Sequence, residues 1–347
     1  MTVATRSVFK EAAAPRSLAL RHQPIAAIGP LDVQVKIHCA SICGTDLHIY
    51  KWNDWAARSY QPPIPLGHEF GGTVVCTGTA VTRVRAGDIV SAETHLPCGH
   101  CRQCRLGRGH TCDNLRLFSR MGLGCFADYT VVPEALLRVV PHGIPIDFAT
   151  MMEPLGVSVR AVTEVPIAGA NVLVVGCGPI GLFAVAAARA YGAGRIMATD
   201  LAAYRRSLAQ RLGADEVVDP TRQPLADAMP AQLAREKFDV VIETSGSEQA
   251  FQEAVTQTRR GGDIVFASLP ERPFSIDMAR HVILGEITLR GVYGRRLDQT
   301  WLQVETLLRA HGPVLAEVLT HTVPLADYEA AFALAASGEA GKVVLHP

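Results

Sequence analysis

The chain has 347 residues, of which 48% are hydrophobic and 19% are charged, and its 33 basic residues balance its 33 acidic ones. This balance provides no strong electrostatic field for nucleic acid or an anionic membrane surface, so we expect neither partner. The length exceeds the size at which a single hydrophobic core keeps growing, and it predicts two domains.

The N-terminal segment and the cysteines predict a cytoplasmic protein. Met1–Pro15 mixes charged with small residues and lacks the apolar core of a signal peptide. Val172–Ala188 is uncharged, but glycines and a proline interrupt it, and it is short for a membrane span of about 20 residues. Four of the nine cysteines lie between Cys98 and Cys112, which fits metal thiolates in a reducing compartment better than disulfides.

The first third of the chain is predicted to be rich in β-strands. Its apolar or alternating runs are short and are separated by proline and glycine. They are Val33–Ile37, Gly72–Val75, Asp88–Val90 and Ala127–Val132. Since no helical period persists in this region, we expect a β-rich domain that continues toward Pro141.

From about Asn171, strand-like runs alternate with alanine-rich helical runs. The six strand-like runs are Asn171–Val175, Arg195–Thr199, Glu216–Val218, Phe238–Glu243, Asp263–Ala267 and Ile287–Gly291. The helical stretches between them include Leu182–Tyr191, Ala202–Leu212 and Glu248–Thr258. This alternation predicts an α/β domain with a doubly wound parallel sheet of the Rossmann type.

After Tyr293 the chain becomes helix-rich, with predicted helices at Thr300–Ala310 and Leu325–Ser337, and it ends on a strand-like run at Lys342–Leu345. This tail is too short to form a domain, so we expect it to return and complete the first one. The first predicted domain therefore comprises residues 1–155 and 292–347, and the second comprises residues 156–291.

A histidine and a glutamate, His68 and Glu69, stand side by side among glycines in Pro65–Gly72. Cys43 and Glu153, from two other stretches, can complete a metal site with them. A set of Cys, His and Glu that leaves one position open is what catalytic zinc requires. Taken alone, the pair fits a solvated charged turn better; the rest of the chain favours the metal site.

Four cysteines, with two, two and seven residues between them, lie in a short segment. They are Cys98, Cys101, Cys104 and Cys112. Four thiolates in so short a loop predict a closed tetrahedral zinc that stabilises one lobe and has no position for substrate. An iron–sulfur cluster also uses four thiolates and is the alternative.

A G-x-G-x-x-G motif follows the first strand of the second domain and opens a helix. Its residues are Gly176, Gly178, Pro179, Ile180 and Gly181, with Cys177 between the first two glycines. Backbone amides and a helix N-terminus can receive a pyrophosphate there. Asp200 ends the next strand, where a carboxylate binds ribose hydroxyls and repels a 2′-phosphate, so NAD is predicted over NADP. Arg205 is close enough to stack on the adenine or to touch the ribose.

Thr45 and His48 closely follow Cys43, and their side chains could pass a proton from the substrate toward solvent. As isolated residues they would instead be a capping threonine and a surface histidine. The neighbouring metal ligand favours the proton relay.

Together these motifs resemble the zinc-dependent medium-chain alcohol dehydrogenase family, in that family's order and from about Val33 to the C-terminus. The resemblance implies a GroES-like catalytic domain containing zinc, an NAD-binding Rossmann domain, and a homo-oligomer, either a tetramer or a dimer. The segments most similar to a threonine-oxidising subgroup are Ile42–Trp55, Glu93–His95, Gly124–Ala127 and Tyr293–Arg295.

The resemblance also implies roles for individual residues. Zinc ligands would be Cys43, His68 and Glu69, with Glu153 as an exchangeable fourth ligand. Thr45 and His48 would relay the proton, His95 and Arg295 would lie in the substrate pocket, and Leu269 would lie beside the nicotinamide. Bound zinc is expected to act as a Lewis acid on the substrate hydroxyl, and the planar fork of Arg295 suits a substrate carboxylate.

The implied reaction is NAD-dependent oxidation of a secondary alcohol, with L-threonine giving 2-amino-3-oxobutanoate. Two departures from the threonine subgroup keep a polyol, sugar or aminocyclitol as the alternative substrate. The run Pro154–Arg160 is closer to polyol dehydrogenases, and Ser268 stands where the subgroup carries glycine. A zinc-stapled NAD-binding protein without catalysis is a third hypothesis, against which the complete metal set argues.

Overall fold

The computed structural model describes residues 4–270 and 272–347, so the first three residues of the predicted Met1–Pro15 stretch lie outside it. Its first part contains short strands and helices. The strands are β1 (Ala4–Lys10), β2 (Leu18–Pro24), β3 (Asp32–Ser41), β4 (Ile64–Pro65), β5 (Glu69–Thr77), β6 (Ile89–Ala92), β7 (His95–Leu96), β8 (Arg116–Leu117), β9 (Tyr129–Pro133) and β10 (Leu137–Val139). The helices are α1 (Gly44–Lys51), α2 (Asp54–Ser59), α3 (Arg102–Arg105) and α4 (Ala149–Thr163).

The second part alternates strands and helices, and a helix-rich tail follows. The alternating part contains β11 (Asn171–Val175), α5 (Pro179–Ala190), β12 (Arg195–Thr199), α6 (Ala203–Arg211), β13 (Glu216–Val218), α7 (Leu225–Ala228), α8 (Ala231–Glu236), β14 (Phe238–Glu243), α9 (Glu248–Gln257), β15 (Thr258–Phe266) and β16 (Thr288–Gly291). The tail contains α10 (Asp298–Ala316), β17 (Leu319–Pro324), α11 (Tyr328–Ser337) and β18 (Lys342–His346).

The second part forms a six-stranded sheet in the order β13-β12-β11-β14-β15-β16, and every neighbouring pair is parallel. The predicted doubly wound sheet is therefore confirmed. Its central strand Asn171–Val175 is buried at four of five positions because helices cover both faces. The strand order reverses between β11 and β14, and ligands bind at the carboxyl ends of strands at such a point.

The first part and the tail share a seven-stranded sheet in the order β10-β6-β5-β3-β18-β17, with β9 also paired to β3. The register places Ser41 at the end of β3 opposite both Glu69 on β5 and Val344 on β18. This register brings Cys43, Glu69 and Lys342 into one place although they are far apart in sequence.

Helix α4 connects the two parts and packs against both α5 and β5. It runs through residue 155, so the domain limits at 155 and 292 stay predictions. None of the helices in the described ranges is long and apolar enough to cross a bilayer.

Helix α10 extends past the predicted end at Ala310 and through Pro313. Leu315, which is 1% exposed, belongs to the main hydrophobic core. Gly312 lies so close to the ring of Phe148 that an added Cβ would approach it to 2.9 Å. Burial of this face outweighs the helix-breaking tendency of Gly312 and Pro313.

Candidate active site

Three metal-donor side chains meet where β3 ends and β5 begins. Cys43 caps α1, directly after β3, and His68 and Glu69 stand at the start of β5. Their donor atoms all lie within 4.8 Å of one another, and His68 and Glu69 are buried. A thiolate, an imidazole and a carboxylate at this spacing fit a zinc ion that keeps a position for substrate.

Asp46, which is 1% exposed, packs against these metal-donor residues. It accepts hydrogen bonds from the backbone amides of Cys43 (3.0 Å) and Gly67 (3.3 Å). Its Oδ1 also lies 3.9 Å from Nδ1 of His68. That distance is too long for a hydrogen bond, so Asp46 acts on the imidazole of His68 through its charge. Sequence reasoning did not select Asp46, although it lies in the quoted motif between Cys43 and His48.

Glu69 has a buried counter-charge from the C-terminal strand. Nζ of Lys342 lies 2.7 Å from Oε1 and 2.6 Å from Oε2 of Glu69, and Ser41 also donates to this carboxylate. Burial lowers the pKa of Lys342, but the charges of Glu69, Cys43 and Glu153 and the hydrogen bond to Glu69 together outweigh burial and raise it. Each carboxylate oxygen has more than one lone pair, so the ion pair is compatible with metal binding. Sequence reasoning missed Lys342 because only the register of β18 brings it here.

Arg295 occupies the centre of a buried ionic cluster beside the cavity. Its Nε and Nη2 donate to Glu93 at 2.8 and 2.5 Å, and Nη2 also donates to Thr94 at 2.7 Å. Its Nη1 donates to the backbone carbonyl of Glu153 at 3.2 Å and lies 2.7 Å from the Glu153 carboxylate. Burial opposes the charge on Arg295, but Glu153 and Glu93 outweigh burial and raise its pKa.

The five N–H groups of a guanidinium can make five hydrogen bonds, and Arg295 has five such partners in this cluster. Arg295 lines the cavity, but its N–H groups are occupied by these partners, so its direct contact with a substrate carboxylate stays a prediction. The structure shows Arg295 fixing Glu153, whose Oε1 also accepts from Thr94 at 3.0 Å. Sequence reasoning could not find this arrangement because Glu93 gave no signal apart from the subgroup resemblance.

His95, which is 6% exposed, lies on the wall of the same cavity. Its Nδ1 lies 3.0 Å from Glu93, whereas its Nε2 is buried without a hydrogen-bond partner among the described residues. Gly294 has φ +60° and lies so close that an added Cβ would reach Cε1 of His95 at 2.5 Å. A buried nitrogen without a partner is costly, so a ligand in the cavity is the natural partner for Nε2.

Thr45 and His48 lie three residues apart on α1 and line the cavity with the metal donors. Nδ1 of His48 lies 2.7 Å from the side-chain nitrogen of Asn53. Its ring also lies 5.6 Å from the ring of Trp55. Residues three apart on a helix share one face, so both side chains can serve one proton path.

The cavity, of about 730 Å³, joins the metal donors to the carboxyl ends of the parallel strands. Residues lining it on the strand side include Ile180, Thr244, Ser268 and Leu269. A volume of this order suits a small substrate together with part of a cofactor.

The four thiols of the cysteine lobe, Cys98 to Cys112, also converge, with all sulfur atoms within 4.8 Å of one another. The amide of Cys98 donates to Cys112 at 3.2 Å, and the amide of Cys101 donates to Cys98 at 3.4 Å. Hydrogen bonds from the amides of His100 and Cys101 lower the pKa of Cys98 to about 6. Four sulfurs with thiolate-stabilising amides fit a closed tetrahedral zinc site.

The glycine turn after β11 has the shape that a dinucleotide needs. Gly176 has φ +86°, and a Cβ on Gly181 would overlap the carbonyl oxygen of Gly176 and lie 2.8 Å from Oγ1 of Thr244. A Cβ on Gly178 would meet nothing within 4 Å, so the turn opens to solvent there. Pro179 follows at the first position of the 12-residue helix α5, whose N-terminus can bind an anion.

Asp200 ends β12 beside this turn. Its carboxylate accepts from the backbone amides of Cys177 (2.7 Å) and Ala202 (2.8 Å). Nε of Arg205 donates to the carbonyl of Ala340, whereas Nη1 of Arg206 donates to the carbonyl of Asp200 at 2.7 Å. Arg206 therefore lies next to Asp200, and the role of Arg205 toward adenosine stays a prediction.

Two family models match the chain: an alcohol dehydrogenase GroES-like domain over residues 29–142 and a zinc-binding dehydrogenase domain over residues 179–310. The L-threonine 3-dehydrogenase of Symbiobacterium thermophilum is 40% identical over 100% of this chain and 99% of its own length.

Among solved structures, a zinc-binding dehydrogenase from Sinorhizobium meliloti bound to NADP has a TM-score of 0.90 at 27% identity. That match covers 99% of this chain and 100% of the other. L-idonate 5-dehydrogenase from Escherichia coli has a TM-score of 0.86 at 27% identity, over 100% of this chain and 99% of its own.

A GroES-like β-domain with metal donors, set against a parallel sheet with a dinucleotide turn, defines a zinc-dependent dehydrogenase. The matches to family models and full-length relatives give the more specific assignment. The chain belongs to the zinc-dependent medium-chain alcohol dehydrogenase family. It is accordingly an oxidoreductase that acts on CH–OH groups.

Proposed function

We propose that this protein oxidises L-threonine at its secondary alcohol, with NAD as hydride acceptor, and forms 2-amino-3-oxobutanoate. Zinc supplies Lewis acidity at the hydroxyl, and NAD supplies the site to which hydride moves. Cys43, His68 and Glu69 would hold the metal; Glu153 lies outside this donor group and is paired with Arg295, so its role as an exchangeable fourth ligand stays a prediction. The four thiols of the cysteine lobe hold the structural zinc.

Thr45 would accept the proton of the substrate hydroxyl, and His48 would carry it toward solvent. The location of both residues on one face of α1, in the cavity wall, supports this path. His48 lies next to Asn53 at 2.7 Å, which holds its ring in place. The path needs no further base, because Lewis acidity lowers the pKa of the hydroxyl.

The charge of the ionic cluster is the observation that carries the choice of an amino acid substrate. Arg295 contributes one positive charge, whereas Glu93 and Glu153 contribute two negative charges. The cluster therefore carries one excess negative charge, and Glu153 lines the cavity of about 730 Å³, which favours a substrate with an ammonium group. We assign recognition of the ammonium to Glu153 and a hydrogen bond to the substrate to Nε2 of His95. Arg295 acts by fixing Glu153.

The relatives add a second line of support, since a full-length relative at 40% identity is named L-threonine 3-dehydrogenase. A polyol or sugar alcohol is the second candidate substrate. It is favoured by the likeness to L-idonate 5-dehydrogenase and by the run that follows Glu153.

Measuring NADH formation from matched substrates distinguishes the amino acid substrate from the polyol or sugar alcohol. L-Threonine is compared with 3-hydroxybutanoate, which lacks the ammonium group, and with a panel of polyols and aminocyclitols. We expect L-threonine to be preferred over both, because the excess negative charge of the ionic cluster is left unbalanced when the ammonium is missing. Activity on L-threonine below roughly a thousandth of that on the best panel member would exclude the amino acid assignment.

NAD is proposed over NADP because Asp200 would repel a 2′-phosphate. The guanidinium of Arg206 lies nearby and can bind a 2′-phosphate, so it should make the preference for NAD smaller. Steady-state kinetics with both cofactors test it, and we expect a higher kcat/KM with NAD. An equal or higher kcat/KM with NADP would contradict the role of Asp200.

We also propose a cytoplasmic homo-oligomer, either a tetramer or a dimer. Strand β16 is the open edge of the parallel sheet, and Leu289 on it is 37% exposed. Ile283 and Leu284, which precede it, are 68% and 69% exposed. Paired edge strands would cover such residues. Light scattering after gel filtration measures the mass, and a monomer would contradict the proposal.

A further inference from the structure

Glu243 is a buried carboxylate at the carboxyl end of β14. The parallel register places it beside Val175 on one side and Phe266 on the other. It is 1% exposed and does not reach the cavity itself. The two loops directly in front of it, which follow β14 and β15, do line the cavity.

Glu243 bonds both of these loops. Its Oε1 accepts from the amide of Ser245 (2.8 Å), the hydroxyl of Ser245 (2.5 Å) and the amide of Gly246 (2.9 Å). Its Oε2 accepts from the hydroxyl of Ser268 on the second loop. The first loop is tied in turn to the glycine turn, because Oγ1 of Thr244 donates to the carbonyl of Gly176 at 2.7 Å. One carboxylate therefore sets the relative position of the loops that form the cofactor side of the cavity.

The charge of Glu243 differs from that of the other buried carboxylates at this site. Glu69 is paired with Lys342, and Glu93 is paired with Arg295. The four donors on Glu243 are two backbone amides and two hydroxyls, all neutral. An ionised carboxylate accepts at both oxygens, and all four contacts of Glu243 are compatible with that form. A buried charge without a counter-ion acts strongly on any charged group that binds nearby.

We propose that Glu243 is a positioning residue that fixes the nicotinamide side of the cavity and that its negative charge favours binding of the oxidised cofactor. The inference rests on the proposed function. Hydride transfer requires the nicotinamide to lie between the metal donors and the carboxyl ends of the strands, which is where Ser245 and Ser268 line the cavity. The nicotinamide ring is positively charged in NAD⁺ and neutral in NADH, so Glu243 stabilises the bound oxidised form selectively.

Glu243→Gln separates charge from position. The glutamine oxygen can still accept from the two amides, and its NH₂ group can donate to the hydroxyl of Ser268. Dissociation constants for NAD⁺ and NADH are measured separately by calorimetry on the zinc-loaded protein, without substrate. We expect NAD⁺ affinity to fall on the order of tenfold, and NADH affinity by less than about twofold.

Two control variants bracket this result. Ser268→Ala removes one hydrogen bond and keeps the charge, so it should change both affinities by the same factor. Glu236→Gln removes an exposed carboxylate at the opposite, amino-terminal edge of the sheet, next to Asn171. It should change neither affinity.

An unchanged ratio of the two dissociation constants in Glu243→Gln overturns the proposal. If Glu243→Gln does not fold, Ser268→Lys places a positive charge against the same carboxylate from the cavity wall. The ratio must then shift in the same direction, and a constant ratio overturns the proposal. Failure of the wild-type protein to bind either nucleotide would contradict the proposed function instead.

Discussion

Glu93 provides the most stringent test of the buried ionic cluster. Its Oε2 accepts from Nε of Arg295 and from Nε1 of Trp301, both at 2.8 Å. Its Oε1 accepts from Nη2 of Arg295, from the amide of Thr94 and from the amide and Nδ1 of His95. A glutamine has one acceptor oxygen, so Glu93→Gln turns an NH₂ group toward at least two N–H donors.

This change breaks a fully buried charge pair and leaves donors unsatisfied, since Glu93 and Arg295 are each 1% exposed. Breaking such a pair costs about 3–5 kcal/mol. For a chain of this size we expect the melting temperature to fall by roughly 4–7 °C. Glu339→Gln, at an exposed position of the same charge type, should stay within about 0.5 kcal/mol of the wild type.

The stabilising contribution of Glu93 should depend on pH. Burial raises the pKa of Glu93, but the charge and hydrogen bonds of Arg295 outweigh burial and hold it well below its usual value. A depressed pKa stabilises the fold above the unfolded-state pKa, and this contribution is lost as the pH falls. The stability difference between wild type and Glu93→Gln should therefore be complete above about pH 5 and shrink below about pH 4.5.

Thermal unfolding of both proteins is followed by circular dichroism from pH 4 to pH 8. The reasoning would be refuted by a difference in melting temperature that is constant over this range. A loss below about 1 kcal/mol at pH 7 would equally refute it, because the buried guanidinium loses one of its two counter-charges and buried N–H donors are left unsatisfied.

Three further predictions concern the metal and nucleotide sites. In the zinc-free protein, Lys342→Met should cost about 3–5 kcal/mol because it leaves Glu69 buried without its counter-charge, and adding Glu69→Gln should recover most of this stability in chemical denaturation. Gly181→Ala should lower both stability and NAD affinity, since its Cβ overlaps the backbone of the glycine turn. Gly178→Ala should weaken NAD binding and leave stability unchanged. Calorimetry measures the NAD affinity of the two glycine variants, and thermal unfolding measures their stability. Cys98→Ser should release the zinc of the cysteine lobe and lower the melting temperature. Mass spectrometry under native conditions measures the zinc content of this variant, and thermal unfolding measures its melting temperature.

The parts of the fold that depend on local pattern could be predicted from the sequence. The strand at Asn171–Val175 and the helix after the glycine turn could be predicted, because the spacing of apolar residues and the effects of Gly and Pro are local to a few residues. The end of α10 was not, since burial of Leu315 and close packing of Gly312 override local propensity.

In the candidate site, residues within short motifs could be selected from the sequence, whereas their partners could not. Cys43, His68 and the four lobe cysteines have ligand chemistry and diagnostic spacing. Lys342 and Glu93 were missed as partners because their roles arise from strand register and from contacts across about 200 or more residues, such as the 202-residue separation of Glu93 and Arg295. The same contacts explain why Arg295, whose contact with substrate stays a prediction, also holds Glu153.

The central claim is that Cys43, His68 and Glu69 hold a zinc ion required for NAD-dependent oxidation of L-threonine. The most direct measurement combines zinc content per chain with NADH formation from L-threonine, for wild type, Cys43→Ala and the control Cys76→Ala. The account predicts that Cys43→Ala keeps the zinc of the cysteine lobe, loses the other zinc and forms no NADH, while Cys76→Ala behaves as wild type. Undiminished NADH formation by Cys43→Ala after loss of that zinc would contradict it.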